Sequence, residues 1–213
     1  MKVAIFGANG ATGRLLTRRC LTIGYAVTAL LRTPFVFPYN DRVHVVEGNA
    51  FDSKAVKRTV EGADVVLSTL GARSPFKNEN VLPRAVPLIV DAMQVAGVRR
   101  IIALGSAGAR ADSLKKQPAW RRWMVQNIVY TLFLKWPVAE QISQYKTLSA
   151  SNLDWTMVMP PMLTNGRARG SYRIDGEVLP RNGIRISRED VADFMMLQIN
   201  NEEWVGKGVY IAY

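Results

Sequence analysis

Short apolar runs alternate with amphipathic stretches along the chain, and that alternation predicts its elements. Runs such as Ala63-Asp64-Val65-Val66-Leu67 and Arg100-Ile101-Ile102-Ala103-Leu104 carry apolar residues at successive positions, the pattern of strands buried on both faces. Strands are predicted at 2–6, 26–31, 43–47, 64–68, 100–104 and 155–159, with a late one near 208–211. Helices are predicted at 12–23, 53–60, 79–96, 138–151 and 188–199. Such alternation implies an α/β fold, a single Rossmann-like doubly wound parallel sheet with helices on both faces. We expect one domain over residues 1–213, with small substrate-side elements from about 105–136 and 160–186.

The first strand leads straight into a glycine-rich turn. Val3 to Phe6 are apolar, Gly7-Ala8-Asn9-Gly10-Ala11-Thr12-Gly13 follows, and Arg14 to Ile23 read as a helix. A strand, a turn of this kind and a helix N-terminus form a bed for a dinucleotide pyrophosphate, because the glycines admit the backbone to the phosphates and free helix N–H groups face them. Spacing of G-x-x-G-x-x-G is typical of extended and atypical short-chain dehydrogenase/reductase chains. At the end of the second strand, Thr28-Ala29-Leu30-Leu31-Arg32-Thr33, no acid is present to bind ribose hydroxyls. Arg32 stands there instead, and Arg14 can reach the same region. Two guanidinium groups suit a 2′-phosphate by charge and fork geometry, so the expected cofactor is NADPH.

Composition removes other chemistries. Cys20 is the only cysteine and His44 the only histidine, so no thiolate or histidine metal cluster and no internal disulfide can form. Cys20 is expected to pack in the core, and His44 to be structural within the strand Arg42 to Val46. The N-terminus shows no signal peptide and no run approaches a membrane span, so we expect a cytoplasmic protein. A net charge of +11 fits a solvated basic face or attraction to anions; the cations are scattered and no nucleic-acid motif accompanies them. One segment, QPAWRRWMVQNIVYTLFLKW at 117–136, is rich in Trp, Leu, Val and Arg. It reads as a helix after Pro118 that Pro137 should end, packed on the sheet. The alternative is an aromatic, basic surface element beside the site or at a membrane interface, carried by Trp120, Trp123, Trp136, Arg121 and Arg122.

The usual acid–base pair of short-chain dehydrogenases is missing. A Tyr-x-x-x-Lys pair places the lysine beside the tyrosine and lowers its pKa for proton transfer to a carbonyl. Four residues after Tyr25, Tyr39, Tyr130, Tyr145 and Tyr172 stand Ala29, Val43, Leu134, Ser149 and Gly176, and Tyr210 has no residue four places on. Ordinary alcohol dehydrogenase chemistry is therefore not expected.

Taken together, several stretches resemble one family nearly end to end. They are Ile5-Phe6-Gly7 with its loop, Gly24 to Thr28 leading to Leu31-Arg32, Gly48-Asn49-Ala50, Leu70-Gly71-Ala72-Arg73, Gly105-Ser106-Ala107, Ser151 to Pro161 (SNLDWTMVMPP) and Gly208-Val209-Tyr210. The chain resembles atypical short-chain reductases of the biliverdin-IXβ reductase/flavin reductase type, among NmrA-like NAD(P)-binding proteins. The resemblance implies NADPH extended across the strand ends. Gly7, Asn9, Gly10, Ala11, Thr12, Gly13 and Arg14 would then hold the phosphates and Arg32 the 2′-phosphate. Asn49 and Ala50 would border the adenine, and Leu70, Gly71, Ala72 and Arg73 would run beside the ribose and pyrophosphate. Ser106 would lie by the nicotinamide, and Pro161, Met162 and Leu163 would meet its carboxamide. It also implies a small-molecule acceptor, tetrapyrrole or flavin, in an open apolar pocket, and a monomer. Two departures matter: Met162 stands where relatives carry a histidine, and Gln141 and Tyr145 replace a Lys-x-x-x-Glu pair.

Hydride transfer to a conjugated acceptor demands orientation more than proton chemistry. Ser106 is the candidate catalytic residue, hydrogen-bonding the acceptor or ordering a water. Ala107, Arg110, Met162, Arg167 and Arg169 are the candidate substrate residues. The alternative is a non-catalytic NADPH-binding sensor or assembly factor of the NmrA-like type.

Overall fold

In a computed structural model, every residue except Arg73 is described. Ten strands and six α-helices follow in the order β1 (Lys2–Phe6), α1 (Ala11–Thr22), β2 (Ala26–Leu31), β3 (His44–Glu47), α2 (Ser53–Val60), β4 (Val65–Ser68), α3 (Val81–Ala96), β5 (Arg100–Leu104), α4 (Ala119–Met124), α5 (Lys135–Ser149), β6 (Asp154–Val158), β7 (Met162–Thr164), β8 (Arg173–Asp175), β9 (Arg185–Ser187), α6 (Arg188–Leu197) and β10 (Lys207–Ala212). A main sheet runs β3-β2-β1-β4-β5-β6-β10-β8, parallel except for the antiparallel edge β8. The expected doubly wound sheet is present.

The period of two in the strands splits the core into halves. In β1, Ala4 and Phe6 face one layer while Val3 and Ile5 face the other, and all four are buried. β10 divides likewise, with Tyr210 and Ala212 against Val209 and Ile211. Helices α2, α3 and α5 pack together on the first face, α1 and α6 on the second. Cys20 lies fully buried in the second layer with its Sγ 3.6 Å from Met196 Sδ, and burial pushes its thiol up to about 12. It is a packing residue, as expected. His44 opens β3, where it is exposed and pairs in register with Thr28.

Sequence and structure part company at 117–136. Pro137 does not end a helix; it sits in the first turn of α5, where its missing N–H costs nothing. Before it, α4 runs into a π-helical stretch, Val125–Phe133, and neither buries a residue fully. The expected helix packed on the sheet is replaced by a surface element. The short pair β7–β9 and the edge strand β8 were also not legible.

The N-terminus of α6 is held by a buried carboxylate. The Ser187 hydroxyl caps the Asp190 N–H at 3.0 Å and donates back to the Asp190 carboxylate at 2.8 Å. The N–H groups of Arg169 and Gly170 and the Tyr213 hydroxyl also donate to Asp190. Burial raises the Asp190 pKa, but these donors outweigh it and hold the group below the ordinary carboxylate range. A folded value below the unfolded value, about 3.9, gives stability that is full above that range and lost as pH falls through the folded value. Asp190→Asn is expected to cost about 2–4 kcal/mol at neutral pH. Urea midpoints should show the gap to wild type narrowing below about pH 4; a gap constant with pH would contradict the assignment.

Candidate active site

The loop after β1 is shaped by two glycines that no other residue could replace without strain. Gly7 has φ +80°, and a Cβ there would stand 2.8 Å from Thr69 Oγ1. A Cβ on Gly13 would land on the Gly7 carbonyl and 2.8 Å from Ala8 Cα. Gly13 is thus where α1 presses against the turn, and Thr12 beside it is buried. Gly10 is the N-cap of α1, with no side-chain cap and no acid in the first turn. The first N–H groups of α1 are therefore presented to an anion.

Beyond this loop a cleft of about 370 Å³ opens across the C-terminal ends of β1, β2, β3 and β4. Of the predicted cofactor residues, Gly7, Asn9, Gly10, Arg32, Asn49, Ala50, Leu70 and Gly71 line it. Among the described residues Gly71 would meet nothing within 4 Å if it carried a Cβ. Arg73 lies outside the described residues. Residues that sequence reasoning missed also line the cleft, among them Phe51, Thr69 and Glu79. Thr69 Oγ1 bonds the carbonyls of Phe6 and Gly7 at 3.3 and 3.1 Å, fixing the loop from the next strand. Phe51 lies under the Arg84 guanidinium, 4.0 Å from its ring centroid. Thr69, a polar residue closing an apolar strand, was a readable signal; the Phe51–Arg84 pairing was not.

Arg14 and Arg32, paired in the sequence reading, divide. Arg14 bonds Asn9 Oδ1 at 2.7 and 3.0 Å and the Val36 carbonyl at 3.3 Å. It is exposed and braces the loop through Asn9, and is not itself among the residues lining the cleft. Arg32 lines the cleft and is exposed, and among the described residues it bonds no carboxylate. Glu79, a carboxylate in the lining, is already engaged within the protein.

The other half of the site lies one strand further along the sheet. Ser106 follows β5, half-buried, and its carbonyl accepts the Ala109 N–H at 3.0 Å. Gly105 N–H bonds the Val158 carbonyl and Ala107 N–H the Pro160 carbonyl, at 2.7 and 2.9 Å. These bonds place Ser106 beside the turn that carries Pro161, Met162 and Leu163. Met162 is 60% exposed, an apolar face next to the serine. From α5, Gln144 Nε2 bonds the Leu104 carbonyl at 3.0 Å and Gln141 Oε1 at 3.3 Å. Neutral amides therefore stand beneath the serine where a proton donor would be expected. Tyr145 packs edge-on against Trp155 in the core instead.

The remaining substrate candidates lie around this turn and the neighbouring loops. Ala107 is buried, and its N–H bonds the Pro160 carbonyl. Arg110 pairs with Asp112 at 3.2 Å, a carboxylate that it shares with Lys115. Arg169 stacks over Tyr213 at 4.0 Å, and Arg167 is exposed. Among the described residues no group of side chains could hold a metal ion.

Comparison with known proteins shows the family and a shared fold. A family model described as NAD(P)H-binding matches residues 7–202. A ceramide reductase of Caulobacter vibrioides is 32% identical over 125 residues, 56% of this chain and 39% of that protein. An uncharacterized Mycobacterium tuberculosis protein, Rv2047c, is 30% identical over 103 residues, 48% of this chain and 12% of that one. The chain thus spans well under half the length of these relatives. Among solved structures, a Veillonella parvula short-chain dehydrogenase/reductase in complex with NADP has a TM-score of 0.81 at 22% identity, covering 100% of this chain and 94% of that one. An anaerobilin reductase from Escherichia coli O157:H7 has a TM-score of 0.78 at 21% identity, covering 100% and 97%.

Proposed function

Because the chain belongs to the NAD(P)H-binding family, we propose that it is an NADPH-dependent reductase of conjugated acceptors, a linear tetrapyrrole or a flavin. The observation that carries the cofactor choice is Arg32, exposed in the cleft at the end of β2 with no acid beside it on that strand. When bound, the nicotinamide supplies hydride; everything else falls to the chain. Gly10 and the open start of α1 take the pyrophosphate, and Asn49, Ala50 and Phe51 border the adenosine. Ser106 and the turn from Pro161 to Leu163 orient the nicotinamide end.

The acceptor class follows from what surrounds Ser106. Gln141 and Gln144 cannot titrate, so neither can make the proton transfer that ketone reduction needs. A conjugated ring system spreads the incoming charge itself, and the exposed Met162 gives it an apolar surface to lie on. Resemblance to the biliverdin-IXβ reductase/flavin reductase type supports the same reading, as does the fold shared with an anaerobilin reductase.

Loss of NADPH absorbance with FMN, riboflavin and a biliverdin-type tetrapyrrole tests it directly. We expect turnover with at least one, and Ser106→Ala to lower it about tenfold, the value of one hydrogen bond to a developing charge, with NADPH affinity unchanged. Binding of NADPH with no turnover of any of the three would instead favour a non-catalytic sensor, the reading that the neutral Gln141–Gln144 pair also permits.

A further inference from the structure

The segment that departs most from the sequence expectation is not part of the cleft. Along α4 and the π-helical stretch after it, Trp120, Trp123, Leu132 and Phe133 are 64%, 61%, 66% and 51% exposed. Met124 and Ile128 fill the gaps between them at 36% and 37%. Contiguous exposure of this size on one element marks an interaction surface. The opposite side of the segment is mounted firmly: Val125 and Tyr130 pack on the core. Gln117 Nε2 bonds the Leu179 and Pro180 carbonyls at 3.0 and 2.9 Å, and its Oε1 accepts the Asn182 N–H at 3.1 Å.

Charge says what this face would meet. From Ser113 to Ala139 the sequence holds Lys115, Lys116, Arg121, Arg122 and Lys135 and no acid. Lys115 and Lys116 pair with Asp112 and Asp175. Among the described residues Arg121, Arg122 and Lys135 face no carboxylate; Arg121 lies over the Trp120 ring and Lys135 over Trp136. Two polar side chains within the exposed stretch turn back on their own helix. Asn127 donates to the Trp123 carbonyl at 2.9 Å and Thr131 to the Gln126 carbonyl at 3.0 Å. One donor on each is thus met without water, which lowers the cost of leaving it.

We propose that the face formed by residues 119–133 seats this protein on a bilayer containing anionic phospholipid, lying in the headgroup plane. Tryptophans and arginines belong at that level, with Ile128, Leu132 and Phe133 reaching toward the acyl chains. No helix among the described residues is long and apolar enough to cross a membrane, which fits a face that lies on one. A second copy of the chain fits less well, because a two-fold contact would set uncompensated cations against cations. Nucleic acid would use the cations but leave the aliphatic side chains without a partner.

The test uses the full chain and sedimentable vesicles of phosphatidylcholine, alone or mixed with phosphatidylglycerol. The wild type should co-sediment with the mixed vesicles, less so at raised salt, and its tryptophan emission should shift to the blue. A Trp123→Glu/Leu132→Glu chain should lose at least tenfold in vesicle affinity, and Arg122→Glu should weaken binding without touching an apolar residue. Both should keep the wild-type melting temperature. Absence of vesicle binding, or equal binding by the double variant, overturns the proposal. So does a dimer in solution that the double variant dissociates, or binding to a single-stranded oligonucleotide in place of vesicles.

Discussion

A Gly13→Ala chain is expected to lose roughly 3 kcal/mol of stability and its affinity for NADPH together. The added methyl would occupy the Gly7 carbonyl and crowd Ala8 Cα at 2.8 Å, both backbone atoms with no rotamer to yield. Relief requires α1 to move away from the turn after β1. That movement would carry the open helix N-terminus off the pyrophosphate path. Urea unfolding and a fluorescence titration with NADPH would measure both losses on one sample. Gly71→Ala is the matched control: it also borders the cleft, yet its Cβ would meet nothing within 4 Å. Its stability should stay within about 0.5 kcal/mol of wild type. Equal stability of the two variants would show that Gly13 does not pack the helix against the loop.

The second large effect concerns cofactor choice. Arg32→Glu is expected to weaken NADPH binding about 100-fold, since it removes charge-assisted hydrogen bonds to a phosphate and sets a carboxylate in their place. NADH lacks the 2′-phosphate, so its affinity should change little, and a carboxylate at this position can even accept from ribose hydroxyls. The ratio of the two dissociation constants is the informative quantity. Parallel weakening of both cofactors would place Arg32 in general electrostatics instead. Arg14→Ala should act on both cofactors alike, because its guanidinium holds Asn9 and Val36 rather than facing the cleft.

Local patterns carried most of the fold into view. β1, its loop and α1 are legible because apolar strand, glycine turn and helix all lie within the first 22 residues. Three-residue strands such as β7 and β9 carry no period, and only their pairing with each other defines them. In the Trp-rich segment the surface alternative holds over the packed helix for a related reason. Apolar content predicts burial only when a partner surface exists, and there the sheet face is already covered by α5 and its neighbours. Pro137 was read as a stop signal because the sequence does not say on which side of it a helix begins. Of the site, the cleft was legible through its glycines and Arg32. The diversion of Arg14 to Asn9 and of Arg110 to Asp112 depends on side-chain reach, which spacing does not encode.

One distant contact escaped every pattern. Glu140 is 2% exposed on α5, and its Oε2 accepts the Leu82 N–H at 3.0 Å, at the start of α3 and across 58 residues of sequence. The N-cap of α3, Asn80, offers no side-chain bond of its own, so α3 depends on α5 for its first turn. Helix α3 begins at Val81 on the rim of the cleft, whereas α5 carries the two glutamines under Ser106. That single bond ties the helix on the rim of the cleft to the helix that stands beneath Ser106.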